Sequence, residues 1–328
     1  MTPADQGTAP APAGPALPGR RGVSGVAAAR RFLQAAFVAW ASFTVAFSIL
    51  YILPGDPVSI MLGASGDGQV DKAALEALRA KYGYDRPIAV QYADALWKAV
   101  NLDFGVSLVT GKPVTQSILT ALPATASLAG LSLAITAVAG SLIAILSLPW
   151  LTGGFFSKLP ALFVSIPTFV VGLFLLQIFA FWLRLLPATG SSSFSSLILP
   201  ALTLAVPGAG MLAQILAKSL RQTYAEPYVR MLRAKGFPER RILRHALRSA
   251  SLPAFTMAGL IVGGTLAGAV VTETVFSRQG IGRLVQMGVT SKDINLVCGL
   301  IVFSTLVYVA VNLIVDLLYP ILDPRVRS

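Results

Sequence analysis

Six long apolar stretches alternate with polar, charged segments along the chain, at residues 32–53, 122–149, 159–181, 195–217, 253–276 and 294–318. Each has the length an α-helix needs to cross a hydrocarbon layer of about 30 Å. Between the first two stretches, residues 70–82 and 87–100 carry helical periodicity bounded by breakers. They predict a small cap outside the membrane, packed down through Leu75, Leu78 and Tyr82. Between the fourth and fifth stretches lies a shorter amphipathic segment, Tyr228-Val-Arg-Met-Leu-Arg-Ala-Lys-Gly236. Gly236 suits the left-handed position that closes a helix, and Pro238-Glu239 starts another, as proline and acidic residues favour a first turn. On that second helix Ile242, Leu243, Ala246, Leu247 and Ala250 share one face, and Arg240, Arg244 and Arg248 form a stripe on another. One face calls for apolar contact and the other for water, phosphate or carboxylate.

Composition supports an all-α membrane protein. The chain is 55% hydrophobic and 12% charged, with a mean hydropathy of +0.72, too apolar for a soluble domain. A net charge of +12 would suggest nucleic acid in a soluble protein, but here the cations gather at the ends of apolar runs and nucleic-acid binding is set aside. Residues 1–31 form a Pro/Ala/Gly-rich extension with a basic flank and no periodicity, expected to be disordered. The run at 32–53 is longer than a signal-peptide core and no small-residue cleavage site follows it, so it is expected to remain as the first span. With both termini inside, sixteen Lys and Arg fall on the cytoplasmic side and ten outside, where seven acidic residues between Asp56 and Asp103 dilute them. The positive-inside rule therefore places both termini in the cytoplasm. That makes 54–121 external, 218–252 a cytoplasmic loop and 319–328 a cytoplasmic tail.

Chemistry is sparse. One cysteine, Cys298, and one histidine, His245, exclude an intrachain disulfide and give no transition-metal cluster. Cys298 in its apolar run is expected to be a buried thiol, and His245 a surface residue. Thr110-Gly-Lys-Pro113 is not a phosphate loop, because Val106 stands where glycine is required. No nucleophile, base and orienting acid occur together, so no catalytic residues are assigned. In the fifth span Gly259, Gly263, Gly264 and Gly268 make two small-xxx-small patterns, which allow close helix approach. They serve either packing within the bundle or a subunit interface or transport path, to which Glu273 and Phe276 at the outer end would belong. Asp316, late in the sixth span, is expected to be held by an ion pair or hydrogen bond.

A series of fragments then follows in a specific order: Leu53-Pro-Gly-Asp-Pro57, Tyr82-Gly-Tyr-Asp-Arg-Pro87 with Gln91-Tyr92, Asp103-Phe-Gly105, Gly111-Lys-Pro-Val114 and Leu122-Pro-Ala-Thr125. It continues through Tyr228-Val-Arg230, Arg233-Ala-Lys-Gly236, Arg244-His-Ala-Leu247, Leu252-Pro253, Glu273-Thr-Val-Phe276, Gly280-Ile-Gly282, Val311-Asn-Leu313, Asp316-Leu-Leu-Tyr319 and Leu322-Asp-Pro-Arg325. In order and spacing the chain, from about residue 30 onward, resembles the first inner-membrane permease of binding-protein-dependent ABC transporters of the dipeptide, oligopeptide and nickel group. The resemblance implies a type I importer fold of six transmembrane helices in a bacterial inner membrane. It implies a homologous second permease, two ATP-binding subunits holding ATP and magnesium, an extracytoplasmic solute-binding protein, and no cofactor or metal on this chain. It also implies import of peptides, with nickel chelates, glutathione or modified sugars as alternatives.

By the same resemblance residues 228–236 are the coupling helix. Tyr228, Val229 and Leu232 are expected to enter an ATPase groove, and Arg230, Arg233 and Lys235 to meet its rim, with Ala234 and Gly236 completing the motif. Where the wider permease pattern has Glu-Ala-Ala, this chain has Arg230-Met231-Leu232. Two rival readings are an ion-coupled secondary transporter, which usually carries charge near the midplane, and a membrane scaffold protein.

Overall fold

The apolar runs fold as helices, and the computed structural model describes residues 25–52, 72–148, 155–191 and 193–322. Of the expected disordered leader, residues 1–24 lie outside the described residues, whereas 25–31 are helical and form the first turns of the first helix, continuous with its apolar run. The Leu53–Pro57 fragment, the tail beyond Leu322 and the side chains of Leu78, Tyr82 and Asp316 also lie outside. Helix α1, Gly25–Ile52, carries the first apolar run and packs on the last helix, α12, Ile294–Leu322. The cap comprises α2, Lys72–Tyr82, and α3, Ile88–Val100. Leu75 is half-buried there. Tyr92 of α3 fixes the cap to the bundle: its ring meets Phe43 and Phe47 at centroid distances of 6.0 and 5.4 Å, and its hydroxyl lies 2.8 Å from Thr44 Oγ1. Cys298 is buried in the same cluster, as expected.

Helix α4, Val114–Leu146, starts well before the expected 122. Its outer turns are not loop because Val114, Ile118 and Ala121 are buried against Ile281, Leu296 and Leu300. The expected third span is broken. Helices α5, Leu159–Ser165, and α6, Thr168–Leu175 with a π-helical continuation to Trp182, meet at Ile166-Pro167. Ile166 is extended, as a residue before proline favours, and the two limbs bend by 104°.

Helix α7, Ser195–Ala225, is the central element, packing on α4, α5, α6 and the three helices that follow it. A methyl at Gly140 of α4 would stand 3.0 Å from the Ala209 carbonyl oxygen, and one at Gly210 2.8 Å from that of Pro160. Glycine is therefore what lets these backbones touch. Beyond α7 come α8, Pro227–Ala234; α9, Glu239–Thr256; α10, Ala258–Val275; and α11, Ile281–Thr290. The expected fifth span at 253–276 thus divides at Met257, and its membrane part is α10.

Among the described residues four helices, α4, α7, α10 and α12, are long and apolar enough to cross a membrane, and the bent α5–α6 pair makes a fifth. The expected first span falls on α1, whose described apolar part is Leu33–Ile49.

Candidate functional site

At one end of the bundle the chain leaves α7 through an extended Glu226, enters α8 at Pro227 and leaves it through Gly236. Gly236 has φ +75°, and the amide of Phe237 donates to the Leu232 carbonyl at 3.1 Å, the left-handed closure expected there. The expected docking face, however, is divided. Val229 is fully buried, with Leu220, Ile242 and Ala246, and Leu232 packs against the same cluster. So short a helix must bury its apolar stripe, and the nearest apolar surfaces are those of α7 and α9, to which it is covalently joined. Tyr228 and Met231 remain at the surface, 36% and 51% exposed, beside exposed Arg230, Ala234, Lys235 and Gly236.

Arg233, expected at a partner's rim, is already engaged within the chain. Its Nε donates to Glu239 Oε1 at 2.7 Å, and its guanidinium lies 5.6 Å from the centre of the Tyr224 ring. Together these contacts strap α8 to both flanking helices. On α9 the apolar positions Ile242, Ala246 and Ala250 are buried, whereas Arg240, Arg244, Arg248 and His245 are exposed.

At the C-terminal end of α10, Glu273, expected as a candidate path or interface residue, is held within the chain. It is fully buried, its Oε1 accepting from Thr125 Oγ1 at 2.6 Å and its Oε2 from the Arg283 amide at 3.2 Å. Thr125 Oγ1 also accepts from the Ile281 amide at 2.8 Å. A threonine of α4 and a glutamate of α10 thereby satisfy amides in the first turn of α11. Two glycines make room. A Cβ at Gly280 would fall on the Glu273 carboxylate, and one at Gly282 would reach 2.7 Å from the backbone nitrogen of Val270. Arg278 is 2% exposed and donates to the carbonyls of Gly190 and Ser196. Burial draws its pKa down, while Glu273 draws it up. Phe276 is buried against Leu176 and Leu199, so it is core.

The small-residue patterns of α10 also divide. A methyl would meet Asn312 at Gly259, the Tyr308 ring at Gly263 and Leu204 at Gly268, but nothing within 4 Å at Gly264. Three glycines therefore serve packing inside the bundle. Gly264 lies on an open stripe with Leu260, Ala267, Val271 and Thr274, all exposed and spaced to share one helix face.

Sequence reasoning missed Thr125, Arg278 and Asp293 as keystones. Buried Asp293 accepts from Ser107 Oγ at 2.6 Å and caps α12 through the Leu296 amide at 3.1 Å, fixing the loop that carries the Val106–Pro113 bridge. An Asp immediately before an apolar run is a readable cap signal. Nothing local marks Thr125.

Comparison with known proteins agrees with this architecture. The family described as binding-protein-dependent transport system inner membrane component matches residues 136–328, and its membrane-component N-terminal family matches residues 27–129. The chain is 33% identical over 285 residues to the glutathione transport system permease protein GsiC of Escherichia coli strain K12, covering 86% of this chain and 92% of that one. It has the same identity and coverage with the proteins of that name from Salmonella typhimurium strain LT2 and Shigella flexneri serotype 5b. The chain belongs to this family, the inner-membrane permease subunits of ABC importers of the peptide and nickel group.

Proposed function

We propose, from that membership, that this chain forms half of a peptide import path and carries one of the two levers through which ATP-binding subunits drive it. The observation that carries the reading is α8: a short basic helix between two spans, anchored by Val229 and leaving Tyr228, Met231, Arg230 and Lys235 for a partner. In the complex a homologous second permease faces the open stripe of α10 around Gly264. Two ATP-binding subunits, which hold ATP and magnesium, receive the levers, and an external solute-binding protein delivers substrate. Switching is a rigid-body rocking of packed helices. This chain performs no catalysis of its own on this reading, and both of its termini are cytoplasmic.

Peptides are the substrate class, and the likeness to glutathione permeases favours a second reading within it, since glutathione is itself a tripeptide. The test co-expresses the chain with its ATP-binding subunits, second permease and binding protein in cells lacking peptide importers. Uptake of a labelled dipeptide, a longer peptide and glutathione is then measured. Energy-dependent uptake of at least one, lost on nucleotide depletion, is expected. Uptake that survives nucleotide depletion but fails when ion gradients collapse would overturn the reading in favour of a secondary transporter. Reporters after Lys158 and Lys235 should read cytoplasmic, and those after Lys81 and Lys292 external.

A further inference from the structure

A furrow of about 250 Å³ opens between α4, α7 and the α9–α10 junction, lined by Leu133, Ala137, Leu212, Phe255, Ala258 and Val262 among others. The lining is almost wholly apolar. Of the few hydroxyls in it, that of Thr136 already donates to the Ala205 carbonyl. The furrow lies on the side of α10 turned away from the Leu260–Gly264–Ala267 stripe, as the helical repeat requires, so it is distinct from the proposed subunit face. From Ser251 to Val262 it runs about 17 Å along the helices, the depth of one leaflet in a hydrocarbon layer about 30 Å thick.

The furrow's inner mouth is charged. On α9 the positions Arg240, Arg244, Arg248, Ser251 and Phe255 share one face, and Ser251 and Phe255 line the furrow. The opposite face is buried through Ile242, Ala246 and Ala250, so the arginines cannot turn inward. Arg244 and Arg248 are exposed, and neither has a carboxylate partner among the described residues. Arg248 lies one turn below Ser251 and Arg244 about 6 Å farther, where the apolar run of the helices gives way to headgroups.

We propose that this furrow seats one anionic phospholipid of the cytoplasmic leaflet, its acyl chain along α4 and the α9–α10 junction and its phosphate on Arg248 and Arg244. An apolar slot one leaflet deep, ending in two uncompensated guanidinium groups, has the chemistry of that molecule. A zwitterionic lipid fits less well, because its own ammonium competes for the phosphate.

The assembled complex, placed in nanodiscs of equal parts phosphatidylglycerol and phosphatidylcholine and then released for native mass spectrometry, tests this. One tightly retained phosphatidylglycerol is expected. Its retention should fall about 30-fold in the Arg244→Gln/Arg248→Gln pair, from the usual contribution of two cations at a membrane surface. Ala137→Trp should displace it by filling the furrow while both arginines remain. Equal retention of the two lipids, or retention unchanged in both variants, overturns the proposal. So does efficient cross-linking of cysteines at positions 137 and 255 to the second permease, which would show that protein covers the furrow. Loss of the ATP-binding subunits in the arginine pair, with lipid retention intact, overturns it in favour of a protein contact.

Discussion

The Glu273 knot makes a prediction that separates a structural carboxylate from a gating one. Glu273 offers two acceptor oxygens to two fixed donors, Thr125 Oγ1–H at 2.6 Å and the Arg283 amide at 3.2 Å. The oxygen of Thr125 in turn accepts from the Ile281 amide. Glu273→Gln keeps the shape but supplies one acceptor and one amide donor, so either the new NH2 meets the Arg283 amide or the Thr125 hydroxyl must turn its proton away from the knot. Losing one charge-assisted bond and leaving a buried donor unsatisfied costs about 3 kcal/mol. Thr125→Val, similar in volume, removes the other side of the pair at a comparable cost. Because the two residues share one network, the double variant should be less destabilised than the two losses added together. Thermal melting in detergent, followed by size-exclusion of fluorescently tagged protein, reads the stability, and uptake per inserted molecule is measured beside it. Both single variants should melt several degrees lower. If Glu273→Gln melts as the wild type does while uptake changes, the carboxylate acts in the path and the knot reading is wrong.

Other substitutions probe the divided surfaces. Val229→Asp places an unpartnered carboxylate in the cluster around Leu220 and Ile242 and should lower melting sharply, whereas Met231→Asp should leave melting unchanged and reduce co-purified ATP-binding subunits at least tenfold; the reverse pattern would show that the helix faces are misassigned. Gly263→Leu collides with the Tyr308 ring and should cut the yield of folded protein through overpacking. Gly264→Leu should insert and fold normally but lose uptake, and identical behaviour of the two glycines would refute an open stripe. Asp293→Ala frees Ser107 and uncaps α12, so amide exchange over residues 105–113 should accelerate at least tenfold, and unchanged protection would mean the loop is held by other contacts.

What the sequence revealed was set by how local each cause is. Gly236, the α8–α9 boundary at Pro238 and the separation of the α9 arginines from Ile242 and Ala246 follow from contacts within a few residues, and each is found where expected. The third stretch was expected as one span at 159–181; Pro167 is a local breaker within it, but the 104° bend depends on what its limbs pack against. Hydropathy missed the early start of α4, because its outer turns are buried by protein and not by lipid. Thr125 and Glu273 lie 148 residues apart, and no periodicity joins them. The fate of Val229 was illegible for another reason. An apolar residue on a short amphipathic helix satisfies the same pattern whether it docks to a partner or to its own chain, and only the positions of Leu220 and Ile242 decide between these.

That anchoring bears on how a lever of this kind would work. A helix whose apolar face entered a partner's groove would be held by the partner and joined to its own bundle only through two peptide linkers, so pulling on it would first take up slack. Here Val229 and Leu232 sit in one cluster with Ile143 of α4 and Leu148 just beyond it, Leu216 and Leu220 of α7, and Ala246 and Ala250 of α9. Close-packed side chains transmit displacement with little compliance, so force applied at Tyr228 and Met231 reaches α4, α7 and α9 together. The Arg233–Glu239 pair, about half exposed, contributes little stability but fixes the angle between α8 and α9. Weakening the anchor without unfolding it, as Val229→Ala would, should therefore leave the ATP-binding subunits attached and hydrolysing while uptake per ATP falls. A variant in which attachment and coupling decline in strict proportion would show that the cluster serves binding alone.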